Sequence, residues 1–320
     1  MSRLPWDALA RRTAPRGAVR ALLAAALAAA LVAAGASRGA ARPRGRARAT
    51  AAPAGAHAFP FGPSRLPVTG AGRAPFNATV GSFKPDDAIA TLDAARANGL
   101  HLLIRLARNR RRFRNADGSF SLEKWKHEVD AYRGIDFAPY VADGTILGHY
   151  LFDEPHDPTN WNGKPVPYAD IEAAAAYSKR LWPTMPAEIG SPPSFLLGGA
   201  PWRSLDLSFA QFSARKGDLR PWLRTEVEAA RQQKLGLFLS LNVLEGGDLH
   251  GKMTPTQLET WGMTMAAEPE ACGLFMWRYD SAYFHEPAIA DAVASIATVT
   301  ARRATPAPMC RGAGWPRGAR

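Results

Sequence analysis

This 320-residue chain has little cysteine and no long run of strongly apolar residues. Its two cysteines, Cys272 and Cys310, are spaced like no zinc motif. Its most apolar stretch, residues 21–36, is mostly alanine, whereas a membrane-spanning helix needs about 20 strongly apolar residues. The sequence therefore argues against a structural zinc site and against a stable membrane span in the mature protein.

A basic segment precedes the apolar stretch, and a small-residue triplet ends it. The basic residues are Arg3, Arg11, Arg12, Arg16 and Arg20, and the triplet is Ala34-Gly35-Ala36. This order is typical of a secretory signal peptide, so we expect residues 1–36 to be removed and the protein to be secreted or periplasmic. Residues 37–57, rich in Ala, Pro and Arg without apolar periodicity, are predicted to be a disordered linker.

The positive charge of the chain lies mainly at its two ends. The formal net charge is +12, of which residues 1–56 carry +9 and residues 302–320 carry +5. The rest of the chain is left with −2 by subtraction, so charge gives no reason to expect nucleic acid as a partner. We expect one domain over residues 58–303 and a basic tail over residues 304–320.

Short apolar runs alternate with helical patterns through that domain. The clearest runs are residues 101–107, 145–153, 204–212, 236–244 and 272–280, with a weaker one at 187–190 and ill-defined first strands in 58–83. Runs that are apolar nearly throughout suit parallel strands covered on both faces. Ser121, Thr254 and Pro287 mark the starts of intervening helices.

The alternation of strand and helix predicts an α/β fold with a parallel sheet. No glycine-rich phosphate loop follows any of the strands, and polar residues gather at the strand ends. Both features favour a closed (β/α)8 TIM-type barrel over an open doubly wound sheet.

Carboxylates and aromatic residues stand where the predicted strands end, which is the face on which barrels of this type build their active sites. Asp153 and Glu154 follow one strand, Glu245 follows a later one, and Trp277 lies on the last. This arrangement resembles the clan of retaining glycoside hydrolases with (β/α)8 barrels. In that clan an acid/base Glu ends strand four, a nucleophile Glu ends strand seven, and a Trp lies on strand eight.

The resemblance implies that Glu154 is the acid/base, that Glu245 is the nucleophile and that the substrate is a carbohydrate. The clan commonly has Asn immediately before its acid/base Glu, where this chain has Asp153. Cleavage of a glycosidic bond needs a protonated acid at the leaving oxygen and a second carboxylate at the anomeric carbon. The charge of Asp153 would help to keep Glu154 protonated.

Further polar and aromatic residues near the strand ends are expected to contact the substrate: Asp153, His149, Arg105, Asn242, Trp277, Arg278 and Asp280. A second group could stack on sugar faces: Trp161, Trp202, Trp277, Tyr279 and Tyr283. By strand alternation, however, Trp277 and Tyr279 would face the helix layer, and Met276, Arg278 and Asp280 would face the barrel interior.

Two other functions stay open at this point. The barrel could bind carbohydrate or serve a structural role without catalysis. It could also be a metal-dependent hydrolase, because His149, Asp153, Glu154, His156 and Asp157 are ligand types gathered in nine residues. The glycoside hydrolase interpretation needs no cofactor and no protein partner, and we expect a monomer.

Barrel geometry also predicts a disulfide. Cys272 opens the last strand and so lies at the N-terminal face of the barrel, away from the active site. The following helix returns to that face, and Cys310 lies a few residues beyond it. We therefore expect Cys272 and Cys310 to pair in an exported protein. The alternative is a buried free Cys272 and a Cys310 that is loose in the tail.

Overall fold

The computed structural model of this protein describes residues 59–69, 74–303 and Cys310. The predicted signal peptide (1–36) and linker (37–57) lie outside the described residues. The same is true of the predicted basic tail (304–320), apart from Cys310. Among the residues that the structure describes, every helix is too short or too polar to cross a bilayer.

Within the described residues, eight strands form one parallel sheet in the order β1-β8-β7-β6-β5-β4-β3-β2. The strands are β1 Phe61–Pro63, β2 Ala78–Gly81, β3 His101–Ile104, β4 Ile146–Asp153, β5 Ala187–Gly190, β6 Leu207–Phe212, β7 Gly236–Leu241 and β8 Ala271–Met276. Two backbone hydrogen bonds join β1 and β2 at their ends: Asn77 N–H, just before β2, donates to the Phe61 carbonyl, and Arg65 N–H, just after β1, donates to the Val80 carbonyl. The sheet is thereby nearly closed into a barrel, and the predicted fold class is confirmed.

Helices follow the strands and surround the barrel. The α-helices are α1 Ala88–Ala97, α2 Leu122–Asp130, α3 Ala138–Ala142, α4 Tyr168–Leu181, α5 Pro193–Leu196, α6 Leu219–Gln233, α7 Pro255–Ala266, α8 Ser281–Phe284 and α9 Pro287–Ala301. Short 3-10 helices cover Pro85–Asp87, Arg110–Phe113, Pro158–Asn160, Leu197–Gly199, Ala214–Lys216 and Asp248–His250.

The predicted helix starts are present. Ser121 caps α2 by accepting a hydrogen bond from Lys124 N–H. Thr254 and Gln257 form a reciprocal capping box at the start of α7, which satisfies backbone donors that have no partner inside the helix. These caps fix where each helix begins and therefore where the preceding loop must end.

Apolar side chains pack on both faces of the sheet. Inside the barrel, Leu103, Leu147, Leu207, Phe238 and Phe275 are almost fully buried. Residues that alternate with them along the strands pack outward against the helices. The lower part of the barrel interior is thus filled with side chains, and a site can form only at the C-terminal ends of the strands and in the loops that follow them.

Cys272 and Cys310 are joined by a disulfide, as the geometric argument predicts. Cys272 lies at the start of β8, so the bond is at the N-terminal face of the barrel. The two cysteines are 38 residues apart along the chain. The disulfide therefore fastens the region that follows α9 to the end of the barrel opposite the strand C-termini.

Candidate active site

A cavity of about 580 Å³ opens at the C-terminal ends of the strands. Its charged residues and histidine come from the end of β4 and from the loops that follow β1, β3, β4, β6 and β7. They are Arg65, Arg105, Arg108, Arg110, Asp153, Glu154, His156, Arg215, Lys216 and Glu245. Because these loops are distant in sequence, only closure of the barrel brings their charges together.

Glu154 is the first residue after β4, and its backbone is held firmly in place. It adopts a left-handed conformation with φ of 51°, which is uncommon for a residue with a side chain. Its N–H donates to the Gly190 carbonyl at 2.9 Å, and its own carbonyl accepts from Trp161 Nε1 at 2.8 Å. These bonds turn the chain out of the strand and aim the carboxyl group into the cavity.

Two donors contact one oxygen of the Glu154 carboxyl group. Asn160 Nδ2 donates to Oε2 at 2.9 Å, and Arg110 Nη2 donates to the same oxygen at 3.3 Å. Within the described part of the chain, Oε1 has no hydrogen-bond partner. Burial and then the neighbouring charge of Asp153 raise the pKa of Glu154, while Arg110 and Asn160 oppose the shift. Glu154 thus has one anchored oxygen and one available oxygen, and it holds its proton to a higher pH than an ordinary glutamate.

Asp153, the last residue of β4, is held between a phenol and two guanidinium groups. Tyr150 Oη donates to Asp153 Oδ1 at 2.6 Å. Arg105 and Arg110 lie 4.0 and 3.8 Å from Asp153 Oδ2. Arg105 also stands over the Tyr150 ring, 4.9 Å from its centroid. The cations offset the negative charge beside Glu154 and fix the position of Asp153.

Gly190, at the end of β5, provides the space that this arrangement needs. A Cβ atom there would lie 2.1 Å from Tyr150 Oη and 2.9 Å from Asp153 Oδ1. Such distances are far below a van der Waals contact. Any side chain at this position would therefore displace the Tyr150–Asp153 hydrogen bond.

Glu245 reaches the same cavity from the loop after β7. Asn242, the first residue after that strand, is buried and lines the cavity, and its Oδ1 accepts a hydrogen bond from Glu245 N–H at 3.1 Å. The Glu245 side chain is exposed, and within the described residues its carboxylate has no hydrogen-bond or ion-pair partner. The structure thus brings the two predicted catalytic carboxylates to one cavity.

Trp277, which follows β8, also lines the cavity, and Arg65 lies over its ring at 5.3 Å from the centroid. The expectation from strand alternation is wrong here, because β8 ends at Met276 and the chain then leaves the sheet. Arg278 is exposed and lies outside the cavity. Tyr279 stacks on Phe284, 5.9 Å between ring centroids, in the apolar layer of α8.

Besides Arg278, two other residues expected in the site lie elsewhere. His149 is fully buried on the helix side of β4, where its ring stacks on Trp125 at 5.9 Å between centroids and its Nδ1 is 2.8 Å from Ser178 Oγ. Asp280 is the N-cap of α8, because its Oδ1 accepts from Tyr283 N–H at 2.8 Å. The first error arises because residues that alternate along a strand face opposite sides of the sheet.

Most of the aromatic residues predicted to stack on sugars are core residues. Trp161 is buried among the rings of Phe113, Phe120 and Phe152. Trp202 donates from Nε1 to Gln233, and Tyr283 donates to the Met253 carbonyl. Of the five proposed rings, Trp277 alone lines the cavity.

The proposed metal-binding set does not come together. His149 faces the helices, and Asp157 caps the 3-10 helix that follows it by accepting from Thr159 N–H at 2.9 Å. His156 lines the cavity and lies 3.2 Å from Ser191 Oγ. No group of three or more His, Cys, Asp or Glu side chains suited to a metal ion occurs in the described residues. The arrangement therefore does not support the metal-dependent interpretation.

The sequence interpretation missed one acidic residue in the barrel interior. Glu188, in β5, is fully buried opposite Tyr150 and Leu207, and neither carboxyl oxygen has a hydrogen-bond partner. Burial and then the charge of Asp153 raise the pKa of Glu188 well above its usual range. The sequence signal that could have identified Glu188 is a single acidic residue within a short apolar strand. Because Glu188 lies beneath the cavity, it acts on the site only through its neighbours.

Comparison with family models gives no match, and comparison with curated proteins gives none either. Among solved structures, a glucosidase from Croceicoccus marinus is 15% identical, with a TM-score of 0.51 over 79% of this chain and 70% of that chain. A chitinase from Pseudoalteromonas aurantia is 10% identical, with a TM-score of 0.49 over 73% of this chain and 99% of that chain. The catalytic domain of the major endoglucanase of Xanthomonas campestris pv. campestris is 13% identical, with a TM-score of 0.49 over 71% of this chain and 84% of that chain. The likeness to the glucosidase shows a shared glycoside hydrolase-like (β/α)8 barrel fold.

Proposed function

We propose that this protein is a glycoside hydrolase in which Glu154 is the general acid and Glu245 the second carboxylate. The observation that carries the proposal is the state of Glu154: a carboxyl group with a raised pKa and one available oxygen, in the same cavity as Glu245. A general acid must hold its proton until the substrate takes it.

The chemistry follows from the two carboxyl oxygens of Glu154. Arg110 and Asn160 hold Oε2, so the proton is carried on Oε1, which is the oxygen that the leaving glycosidic oxygen would approach. As the bond to the anomeric carbon breaks, positive charge develops on the sugar ring. Glu245 would stabilise that charge, either by forming a glycosyl intermediate or by activating a water molecule. The carboxyl separation in a sugar complex will decide which, because about 5 Å suits the first and about 6.5 to 9.5 Å the second.

Substrate contacts in this proposal come from the remaining residues around the cavity. Trp277 offers the ring on which a sugar could stack, and Asn242 offers an amide beside Glu245. Asp153 and Arg105 form the polar wall next to Glu154. The likeness to the glucosidase shows the fold alone, and a fold does not identify the sugar or the linkage. The test must therefore use a broad panel of substrates.

The direct test is to incubate the protein with a panel of neutral and acidic oligosaccharides and to measure hydrolysis by the release of reducing ends. Glu154→Gln keeps the size and polarity of the side chain but removes the acid, so kcat should fall by about 10²- to 10⁴-fold. Asp280→Asn, which changes a carboxylate outside the cavity, is the matched control and should retain wild-type kcat. Equal activity in the wild type and Glu154→Gln would refute the assignment.

The pH profile gives a second readout. Glu154 must be protonated to act, and its folded-state pKa is raised. Activity should therefore persist above the ordinary glutamate pKa of about 4.3 and be lost as pH rises through the raised value. An alkaline limb at or below the ordinary glutamate pKa would contradict this role for Glu154.

We also propose that the protein is exported and has residues 1–36 removed. The basic and apolar N-terminal segments support this, and so does the disulfide, because such bonds persist in oxidising compartments. Mass spectrometry of protein recovered from the periplasm or the medium should find a mature N-terminus after Ala36. Full-length protein found only in the cytoplasm would contradict export.

A further inference from the structure

A second cavity, of about 400 Å³, adjoins the first on the side of β1, β2 and β3. The two cavities share the residues Ser64, Arg65, Val80, Arg105, Arg108 and Trp277. Among the residues described, the only ionisable groups that line the second cavity are Arg65, Arg105 and Arg108. We call this space the arginine cavity.

The charge of the arginine cavity is poorly compensated. Arg105 faces Asp153 at 4.0 Å, but neither Arg65 nor Arg108 has an ion-pair partner in the described part of the chain. The first cavity shows the same excess, with six Arg or Lys side chains in its lining and three Asp or Glu. Residues 57–301 as a whole carry −2, so positive charge is concentrated where the strands end.

Grouping these cations has an electrostatic cost. Partial burial, and then the charges of Arg278 and Arg105, lower the pKa of the Arg65 guanidinium. An anion bound among the guanidinium groups would relieve that repulsion. The planar guanidinium fork matches the geometry of carboxylate and similar oxyanions in two-point hydrogen bonds.

We propose that the arginine cavity binds the anionic group, a carboxylate or a sulfate ester, of an acidic sugar residue next to the bond that is cleaved. The inference rests on the proposed glycoside hydrolase function and narrows its substrates to acidic glycans. Arg105 lines both cavities and faces Asp153, which precedes Glu154. The anionic group would therefore bind close to the proposed acid. Trp277 lines the same space and supplies a ring for the sugar that carries the charge.

Binding can be measured by calorimetry in the Glu154→Gln variant, in which the saccharide stays intact. Three oligosaccharides of equal length serve as probes: a galacturonate, a sulfated galactose and a neutral galactose. We expect at least one acidic probe to bind about tenfold or more tightly than the neutral probe, because charged hydrogen bonds are the strong ones. That preference should shrink when salt is raised.

Arg65→Gln and Arg108→Gln are each added to Glu154→Gln. Each should weaken binding of the preferred acidic probe by about tenfold and change the affinity for the neutral probe by no more than about twofold. Arg278→Gln is the matched control. Arg278 is exposed, as Arg65 and Arg108 are, and its charge acts on Arg65, but it lines neither cavity. Its removal should change both affinities by less than about threefold. The preferred probe identifies the anionic group.

Equal binding of acidic and neutral probes, or equal losses in Arg65→Gln and Arg278→Gln, would overturn the inference, and so would undetectable binding of all three. Hydrolysis by the wild type separates this inference from the proposed function. Cleavage of neutral glycans without binding of acidic ones would refute the inference alone. Binding of an acidic probe that depends on Arg65, with no cleavage of any saccharide, would support the arginine cavity as an anion-binding site. It would refute the hydrolase, and with it the placement of that site beside a cleaved bond.

Discussion

Acid should weaken this protein through His149, a residue remote from the proposed chemistry. Burial lowers the pKa of His149 to about 3, from an unfolded value of about 6.5. Because the folded-state pKa is lowered, the stabilising contribution is fully present above about pH 6.5. It is lost as pH falls from there toward about 3, since only the unfolded chain readily takes up the proton.

The size of the effect follows from those two values. One pKa unit corresponds to about 1.4 kcal/mol. A pH of 4 lies about 2.5 units below the pKa of the unfolded histidine, which is then protonated, whereas the folded histidine is still mostly neutral. Between pH 7.5 and pH 4 the free energy of unfolding should therefore lose about 3 kcal/mol through this residue alone. Typical domains have only about 5 to 15 kcal/mol of stability.

The assay is urea unfolding, followed by tryptophan fluorescence, at several pH values between 7.5 and 4. His149→Asn retains a polar group that can reach Ser178 Oγ but does not titrate. The variant will have a constant deficit from the smaller side chain. The free energy of unfolding of the wild type minus that of the variant should fall by about 3 kcal/mol from pH 7.5 to pH 4.

His285→Asn provides the control, because His285 is exposed and the substitution is the same. A difference between wild type and His149→Asn that stays constant within about 0.5 kcal/mol over this range would refute the reasoning. Loss of kcat in His149→Asn at pH 7.5, with the fold intact, would return His149 to the active site.

Three further outcomes are expected. Replacing both Cys272 and Cys310 by Ala should lower the free energy of unfolding by about 3 to 4 kcal/mol, because the unfolded chain loses a constraint; equal urea midpoints for variant and oxidised wild type would contradict this. The raised pKa of Glu188 gives the wild type a contribution to stability that is complete below the ordinary glutamate pKa and is lost as pH rises toward the raised value. Glu188→Gln, which does not titrate, should therefore gain thermal stability relative to the wild type as pH rises from 4 to 8. A pH-independent difference would show that folding does not raise the pKa of Glu188. Gly190→Ala should reduce kcat at least tenfold by displacing the Tyr150–Asp153 pair, and full activity would show that the pair is unimportant.

The order of the strands could be predicted from the sequence because buried parallel strands are apolar throughout. Numbering the strand that ends at Asp153 as the fourth puts Glu245 at the end of the seventh strand and Trp277 on the eighth. The structure keeps that order, but Glu245 lies in the loop after β7 and Trp277 lies just after the end of β8. The common cavity of Glu154 and Glu245 follows from that order. The first two strands were ill-defined because they are only three and four residues long.

Side-chain direction could not be predicted with the same success. Trp277 reaches the cavity because the chain leaves the sheet after Met276, where strand alternation no longer applies. Asp280 caps a four-residue helix that no periodicity announces. The arginine cavity could not be predicted for a related reason: Arg65 follows the short β1, and Arg108 lies in an irregular loop. Their convergence depends on barrel closure and not on any local pattern.

The disulfide at the N-terminal face of the barrel determines how the protein can be immobilised or fused through its C-terminus. Cys310 is fastened beside the start of β8, at the end of the barrel opposite the cavity. Whatever is joined to the chain beyond Cys310, whether an affinity tag, a resin or a fused domain, therefore starts from the far side. Immobilisation through the C-terminus should leave the cavity open to a long polysaccharide, whereas coupling through the loops after the strands would obstruct it.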